Sequence, residues 1–141
     1  PLRITPFESH HFRADTGKGV REYGYRVRAA RSPSMLFPAD VRDYSTRGME
    51  QLGYTDAIVG HVWLGDGNGT ADSFAPYDSD MADFLLYFDA RKIILGHLYE
   101  IGREDSGMWR REHAEHVKRI IQKRSPDTEV IIPSPGEIFR V

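Results

Sequence analysis

The sequence predicts an α+β fold built around an antiparallel sheet. Short β-branched or aromatic segments, typical of strands, occur near both ends of the chain, and two amphipathic helical patterns lie in its second half. These elements interleave without a regular strand–helix–strand alternation, which favours antiparallel over parallel pairing. The length of 141 residues matches one domain.

The first half of the chain predicts few regular elements. Residues 1–22 are polar, with glycine, proline and paired charges, and predict an irregular arm that precedes a domain over 23–141. Tyr23 to Ala29 alternates aromatic or apolar with other residues, which indicates a short strand. Residues 31–38 contain prolines and predict a loop, and residues 40–53 predict one helix.

The second half carries the clearest helical signal. After a glycine-rich loop over 65–69, four apolar residues follow at i, i+3, i+4 and i+7, behind a capping residue among 78–80. The four are Met81, Phe84, Leu85 and Phe88. A buried strand is expected over Ile93 to Ile101, because this segment is apolar and β-branched.

The last third predicts a helix followed by two strands. Residues 107–124 form a helical stripe that ends at Ser125-Pro126. The apolar members of the stripe are Met108, Ala114, Val117 and Ile121. Glu129 to Ile132 predicts a strand, and residues 137–141 a closing strand after a proline-rich turn.

Composition excludes several functional classes. The chain has no cysteine, so disulfides, thiolate zinc sites and a cysteine nucleophile are excluded. A net charge of −2 gives no overall attraction to nucleic acid or anionic membrane. No apolar run approaches a membrane span, and no signal peptide opens the chain. The first residue, Pro1, follows either removal of a methionine or excision from a longer protein.

Two patterns could indicate a metal or phosphate site. His113 and His116 share a helix face at metal-ligand spacing, but neighbouring charges favour a solvated face, and no metal is expected. The glycine-rich loop over 65–69 lacks the Lys-Ser/Thr of a phosphate-binding loop and the spacing of a calcium loop, so a plain connection is expected.

Arg26 and Glu129 are candidate functional residues. Arg26 lies in a strand whose alternation could direct it inward, where it would need an anion or a carboxylate, or outward as an edge residue. Glu129 is the first residue of an apolar strand. A carboxylate at this position either only marks the boundary of the strand or lines a cleft.

Four segments resemble, in their order, the mono-ADP-ribosyltransferase toxins of the cholera, pertussis and pierisin type. They are Tyr25-Arg26 followed by Arg31-Ser32-Pro33, then Gly60-His61-Val62, Gly96-His97-Leu98-Tyr99-Glu100-Ile101, and Asp127-Thr128-Glu129 with its turn and closing strand. The resemblance spans 23–141 and implies a split antiparallel sheet with flanking helices. The family's Ser-Thr-Ser motif falls near Ser73–Asp78, where the sequence differs.

The resemblance implies roles for individual residues in NAD chemistry. Glu129, His61 and Asp127 would be catalytic: Glu129 would hold the ribose, His61 would orient ribose or phosphate, and Asp127 would position the acceptor. The cofactor-binding residues would be Arg26, Tyr25, Ser73 and Tyr77.

The implied function is transfer of ADP-ribose from NAD to a macromolecular acceptor, without a metal. A bacterial toxin or effector of this kind would be secreted or delivered into the cytosol of a target cell, and a neutralising immunity protein would be a further partner. Three alternatives stay open: an NAD glycohydrolase on the same pocket, a non-catalytic interaction domain, and a ribonuclease toxin.

Overall fold

The computed structural model describes residues 1–11, 21–64, 75–98 and 110–141. The described residues form a six-stranded mixed sheet and two helices. The strands are β1 (Leu2–His10), β2 (Arg21–Ala29), β3 (Ser34–Phe37), β4 (Ala57–His61), β5 (Lys92–Gly96) and β6 (Glu129–Ile131); the helices are α1 (Tyr77–Tyr87) and α2 (Arg111–Arg124), with a short 3₁₀ turn at Glu50–Leu52.

The six strands lie side by side in their sequence order. Strands β1, β2 and β3 pair antiparallel, whereas β3, β4, β5 and β6 pair parallel. The parallel half follows from the chain order β4–α1–β5–α2–β6, because each helix returns the chain to the starting edge of the sheet. The carboxyl ends of β3, β4 and β5 therefore meet at one edge.

The parallel strands bury one face of the sheet beneath the helices, here called the helix face. Leu36, Ile58, Ile93 and Val130 lie across this face in register and are buried. Gly60 lies on the same face, and a Cβ there would stand 2.8 Å from Leu85 Cδ2 of α1. The glycine thus allows α1 to pack directly on β4.

The helices confirm the expected apolar stripes. In α1, the buried residues are Met81, Ala82, Phe84 and Leu85, with Phe88 buried at its end. In α2, the buried residues are His113, Ala114, Val117 and Ile121, and the helix ends before Ser125 as expected. Arg124 ties the two helices together, since its Nη1 donates to Asp83 Oδ1 at 2.6 Å and its Nη2 to Ser79 Oγ at 2.7 Å.

The opposite face, here called the open face, exposes an apolar patch on β1 and β2. The patch consists of Leu2, Ile4, Tyr23 and Tyr25, which are 64%, 55%, 46% and 46% exposed. The register pairs Ile4 with Val27, and Val27 with Met35 of β3, so the patch continues toward the centre of the sheet.

A polar contact joins β3 to β4 at the amino-terminal edge of the parallel strands. Asp56 Oδ2 accepts from the backbone N–H of Ser34 at 2.7 Å and from its hydroxyl at 2.8 Å. These hydrogen bonds to Ser34 lower the pKa of Asp56 despite a smaller opposing effect of burial. The ionised carboxylate therefore fixes the start of both strands.

The structure corrects the expected fold class. The sheet is mixed rather than a split antiparallel sheet, because residues 57–61 form a strand that the sequence analysis did not identify. The expected arm over 1–22 contains β1, and the expected loop over 31–38 contains β3.

Two further elements expected from the sequence do not form. Residues 40–53 contain only the short 3₁₀ turn instead of a helix, and residues 137–141 do not pair as a strand. Within the four described ranges, no helix is both long and apolar enough to span a bilayer. The glycine-rich loop and Met108 lie outside these ranges.

Candidate metal centre

Three side chains with metal-ligating groups converge at the carboxyl edge of the parallel strands. Asp40 follows β3, His61 ends β4, and His97 directly follows β5. Each offers one ligand atom, and the three atoms lie within 4.8 Å of one another. Among the described residues this is the one group of three or more such side chains. The parallel topology explains the convergence, since neighbouring strands end at the same edge.

Backbone turns at the strand ends place two of these side chains. His97 adopts a left-handed conformation with φ of 60°, and Ala39, directly before Asp40, has φ of 70°. Such angles are uncommon outside glycine and reverse the chain sharply. His61 needs no such turn, because its pairing with Gly96 places it beside the start of the loop that carries His97.

The two histidine rings are stacked. Their centroids are 5.0 Å apart and their planes differ by 19°. His61 lies on the open face of the sheet, with the same alternation as Ala57. The stacked pair therefore lies at the adjacent ends of β4 and β5.

Asp40 is held as a carboxylate chiefly by Arg42. Its Oδ2 accepts from Arg42 Nη2 at 3.0 Å and from His11 Nε2 at 3.2 Å. Burial alone would raise the pKa of Asp40, but the Arg42 hydrogen bond and charge outweigh it and lower the pKa below its ordinary value. Arg42 is itself fixed by stacking, with its Cζ 3.9 Å from the centroid of the buried Trp63 ring.

His61 is held in its neutral form. Burial lowers its pKa, the nearby His97 lowers it further, and the charge of Asp40 opposes both. A neutral imidazole is the form that binds a metal ion.

The residues fit a divalent cation. Within the described part of the chain, His61 Nδ1 and Asp40 Oδ1 are buried and make no hydrogen bond. Buried polar atoms without partners are costly, and a bound cation would satisfy both. Two imidazoles and one carboxylate match the three protein ligands of catalytic zinc sites.

A cavity of about 380 Å³ adjoins the cluster at His97. Its walls come from the ends of β5 and β6 and from the first residue of α2. They consist of Gly96, His97, Leu98, Arg111, Pro133, Ser134 and Pro135. The cavity is thus mostly apolar, with one guanidinium, and it lies where a substrate could meet the cluster.

Within the part of the chain that the structure describes, the histidine pair on α2 belongs to no group of three metal-ligating side chains. His113 is buried, and its Nδ1 accepts from the backbone N–H of Arg110 at 2.9 Å. His116 Nε2 lies 2.7 Å from Asp78 Oδ2 of α1. The two rings serve the helix start and the contact between the helices.

Arg26 and Glu129 do not share a cleft. Arg26 lies on the helix face of β2 and donates to the carbonyls of Leu52 at 2.5 Å and Tyr54 at 2.6 Å. Glu129 starts β6 on the open face, where its Oε2 pairs with Lys92 Nζ at 3.3 Å. Four strand spacings of about 4.8 Å put the two strands on the order of 19 Å apart.

The other residues implied by the resemblance are dispersed. Asp127 is exposed in the turn before β6, Tyr25 belongs to the apolar patch, and Tyr77 begins α1. Ser73 lies outside the described residues. Of the implied catalytic residues, His61 alone belongs to the candidate metal centre.

Comparison with known proteins supports a different fold from the one the sequence suggested. No protein-family model matches the chain, and no curated protein matches it. The metallo-β-lactamase fold protein YhfI from Bacillus subtilis superposes with a TM-score of 0.61 at 15% identity, over 95% of this chain and 47% of that one.

Two other solved structures give the same result. A possible metal-dependent hydrolase from Veillonella parvula has a TM-score of 0.65 at 17% identity, over 96% of this chain and 53% of that one. An isothiocyanate hydrolase from Delia radicum gut bacteria has a TM-score of 0.62 at 13% identity, over 96% of this chain and 54% of that one. The chain therefore spans about half the length of these proteins.

These findings overturn the resemblance to ADP-ribosyltransferase toxins. The expected enzyme class, the NAD substrate and the absence of a metal are wrong, because the similar structures are a metallo-β-lactamase fold protein and a possible metal-dependent hydrolase, and the described residues contain a candidate metal-ligand cluster. The sequence analysis missed Asp40 and His97 as candidate ligands. A usable signal was the repeated ending of two apolar segments, Val59-Gly60-His61 and Leu95-Gly96-His97. The described sheet and helices have the arrangement of about half of a metallo-β-lactamase fold.

Proposed function

We propose that this chain carries metal ligands of a metal-dependent hydrolase. The observation that supports this most directly is the convergence of Asp40, His61 and His97 at the carboxyl ends of three parallel strands. The likeness in fold to a metallo-β-lactamase fold protein and to a possible metal-dependent hydrolase adds support. The chain spans only about half the length of those proteins. We therefore propose separately that the chain itself catalyses hydrolysis.

Asp40, His61 and His97 would hold the ion. A bound divalent cation supplies Lewis acidity and activates water for attack. The side chains around the cluster prepare the ligands: Arg42 keeps Asp40 ionised and oriented, and burial keeps His61 neutral. Such outer contacts fix ligand orientation before the ion arrives.

The cavity beside His97 would receive the substrate. Its apolar walls would exclude water from the bond that is cleaved, and this strengthens electrostatic interactions at the cluster. Arg111 stands at this cavity with half of its side chain exposed and a 3.9 Å contact to Glu115. It is therefore placed to orient a substrate carrying a negative charge.

Calorimetric titration of the chelator-treated chain with Zn²⁺ tests the first part. We expect saturable binding that weakens at least about tenfold in Asp40→Asn, His61→Ala and His97→Ala, since each removes one of three ligands. His116→Ala is the matched control, because it removes a histidine paired with Asp78 outside the cluster. Equal binding by the wild type and all three ligand variants would contradict the proposal.

Hydrolysis is tested separately with the Zn²⁺-loaded chain on a panel of esters, lactams and phosphodiesters. Turnover that disappears with chelator, returns with metal and is absent in His61→Ala supports the hydrolase assignment. Tight metal binding without turnover of any substrate would limit the role of this chain to holding the metal.

A further inference from the structure

A second cavity lies far from the ligand cluster, beneath the β1–β2 hairpin. It has a volume of about 260 Å³ and is lined by Arg3, Thr5, Arg26, Arg28, Gln51 and Leu52. The pairing of Arg28 with Ser34 places this cavity toward the amino-terminal end of β3, whereas the ligand cluster lies beyond the carboxyl end. Three of its six lining residues are arginines and none is acidic.

Strand register brings the three arginines together. Arg3 pairs directly with Arg28, and Thr5 with Arg26, so all four side chains share one face of the hairpin. Side chains opposite each other in an antiparallel pair have Cβ atoms about 5 Å apart, and like charges in this arrangement are destabilising. Arg3 and Arg28 are exposed, so solvent screens part of this repulsion, and an anion bound between them would offset the rest.

The described residues provide no such anion. No carboxylate among them forms an ion pair with Arg3, Arg26 or Arg28. Arg26 is fixed by two carbonyl groups, which orient its guanidinium without neutralising it. Asp56, at the same edge of the sheet, already accepts from Ser34 and from the Tyr54 hydroxyl.

We propose that this cavity is a binding site for a phosphate group. Guanidinium groups bind phosphate oxygens in a forked geometry that Arg3 and Arg28 can supply, and Arg26, whose Nη1 and Nη2 each donate to a carbonyl, adds an ordered positive charge and its remaining N–H groups. Thr5 adds a hydroxyl donor on the same face. Three positive charges match a multiply charged phosphate better than a carboxylate, which carries one charge.

The test is a calorimetric titration of the full chain with pyrophosphate at constant ionic strength. The protein is first freed of metal, so that binding at the ligand cluster does not contribute. We expect saturable binding that weakens at least about tenfold in both Arg3→Gln and Arg28→Gln, since each removes charge-assisted hydrogen bonds. Arg47→Gln is the control, because it removes the same charge from an exposed residue outside the cavity.

Further experiments identify the ligand and distinguish the phosphate-site proposal from the hydrolase proposal. Parallel titrations with inorganic phosphate and with a nucleoside monophosphate distinguish a free anion from a phosphate on an organic molecule. Circular dichroism confirms that the variants are folded. No saturable binding of any probe, or equal weakening in Arg47→Gln, overturns the proposal. Zn²⁺ binding is unchanged in Arg28→Gln if the two sites are independent, so failure here leaves the hydrolase proposal intact.

Discussion

At the residue scale, the candidate metal centre depends on Arg42 as much as on its ligands. Arg42 lies between Trp63, on which it stacks, and Asp40, to which it donates. Stacking on the buried Trp63 ring fixes the Arg42 guanidinium, and the guanidinium in turn orients the Asp40 carboxylate. A lysine in place of Arg42 would keep a positive charge beside Asp40 but would not orient its carboxylate.

Replacement of Arg42 tests this positioning role. Arg42→Gln is expected to weaken Zn²⁺ binding about 10- to 100-fold, as is typical when a group that orients a metal ligand is removed. Arg42→Lys should restore only part of the affinity, because lysine lacks the planar fork. Calorimetry with Arg119→Gln on α2 as control measures the effect. Wild-type affinity in Arg42→Gln would show that Asp40 is oriented without it.

His113 makes the stability of the chain depend on pH. Burial lowers its pKa, and its Nδ1 must stay unprotonated to accept from the Arg110 backbone N–H. The unfolded chain therefore binds a proton more readily than the folded chain as the pH falls through the ordinary histidine pKa of about 6.5. The contribution of His113 is present above that pH and decreases below it.

The variant His113→Gln isolates this effect, because glutamine does not titrate. Urea unfolding of the metal-free chain from pH 8 to pH 5 should show a smaller loss of unfolding free energy at low pH in the variant than in the wild type. If the unfolding free energy fell equally with pH in the two proteins, protonation of His113 would not contribute to the pH dependence of stability.

At the element scale, the stripes of α1 and α2 were predictable from the sequence, and the parallel strands were not. Helical periodicity repeats over several turns, so Met81, Phe84 and Leu85 identify α1 without further information. The five residues of β4 are too few for periodicity to separate a strand from a loop. Missing β4 concealed the strand–helix–strand order and therefore the parallel half of the sheet.

The contact between β4 and α1 depends on Gly60, which has no side chain. Gly60→Ala would place a methyl group against Leu85, which is 1% exposed, and overpacking of this kind costs about 1–3 kcal/mol. Urea unfolding measures the loss. Gly96→Ala is the control, since among the described residues no atom beyond its two chain neighbours lies within 4 Å of its added Cβ.

A double variant checks that the two residues interact. Gly60→Ala with Leu85→Ala should destabilise by less than the sum of the single variants, because the smaller residue makes room for the added methyl group. Additive effects would place the cost of Gly60→Ala elsewhere than at α1.

At the scale of the whole molecule, the residues of the candidate site come from separate parts of the chain. Asp40, His61 and His97 are separated by intervals of 21 and 36 residues, counted from their positions. Such ligands meet only through topology, so spacing in the sequence could not indicate the cluster. His113 and His116 are the converse case, since two histidines at metal-ligand spacing make structural contacts instead.

The apolar patch on the open face is expected to bind hydrophobic dyes. Exposed apolar side chains that share one face of a sheet offer a surface to which such a dye can bind. Ile4→Thr should reduce the fluorescence of bound anilinonaphthalene sulfonate while leaving the melting temperature nearly unchanged, because the residue is 55% exposed. Ile138→Thr is the matched control: its side chain is 95% exposed but stands outside the patch. Equal fluorescence changes in both variants would contradict a contiguous patch.

The bridge between Ser34 and Asp56 makes the two ends of the parallel strands unequal. Hydrogen bonds between Ser34 and Asp56 hold the amino-terminal end. At the carboxyl end, two imidazoles and a carboxylate lie close together, and a bound ion would link them. Withdrawing the ion should therefore loosen the strands from one side only. Amide hydrogen exchange would then accelerate at Val62, whose N–H donates to the carbonyl of Gly96, and stay slow at Ala57, so the parallel strands would separate first at their carboxyl ends.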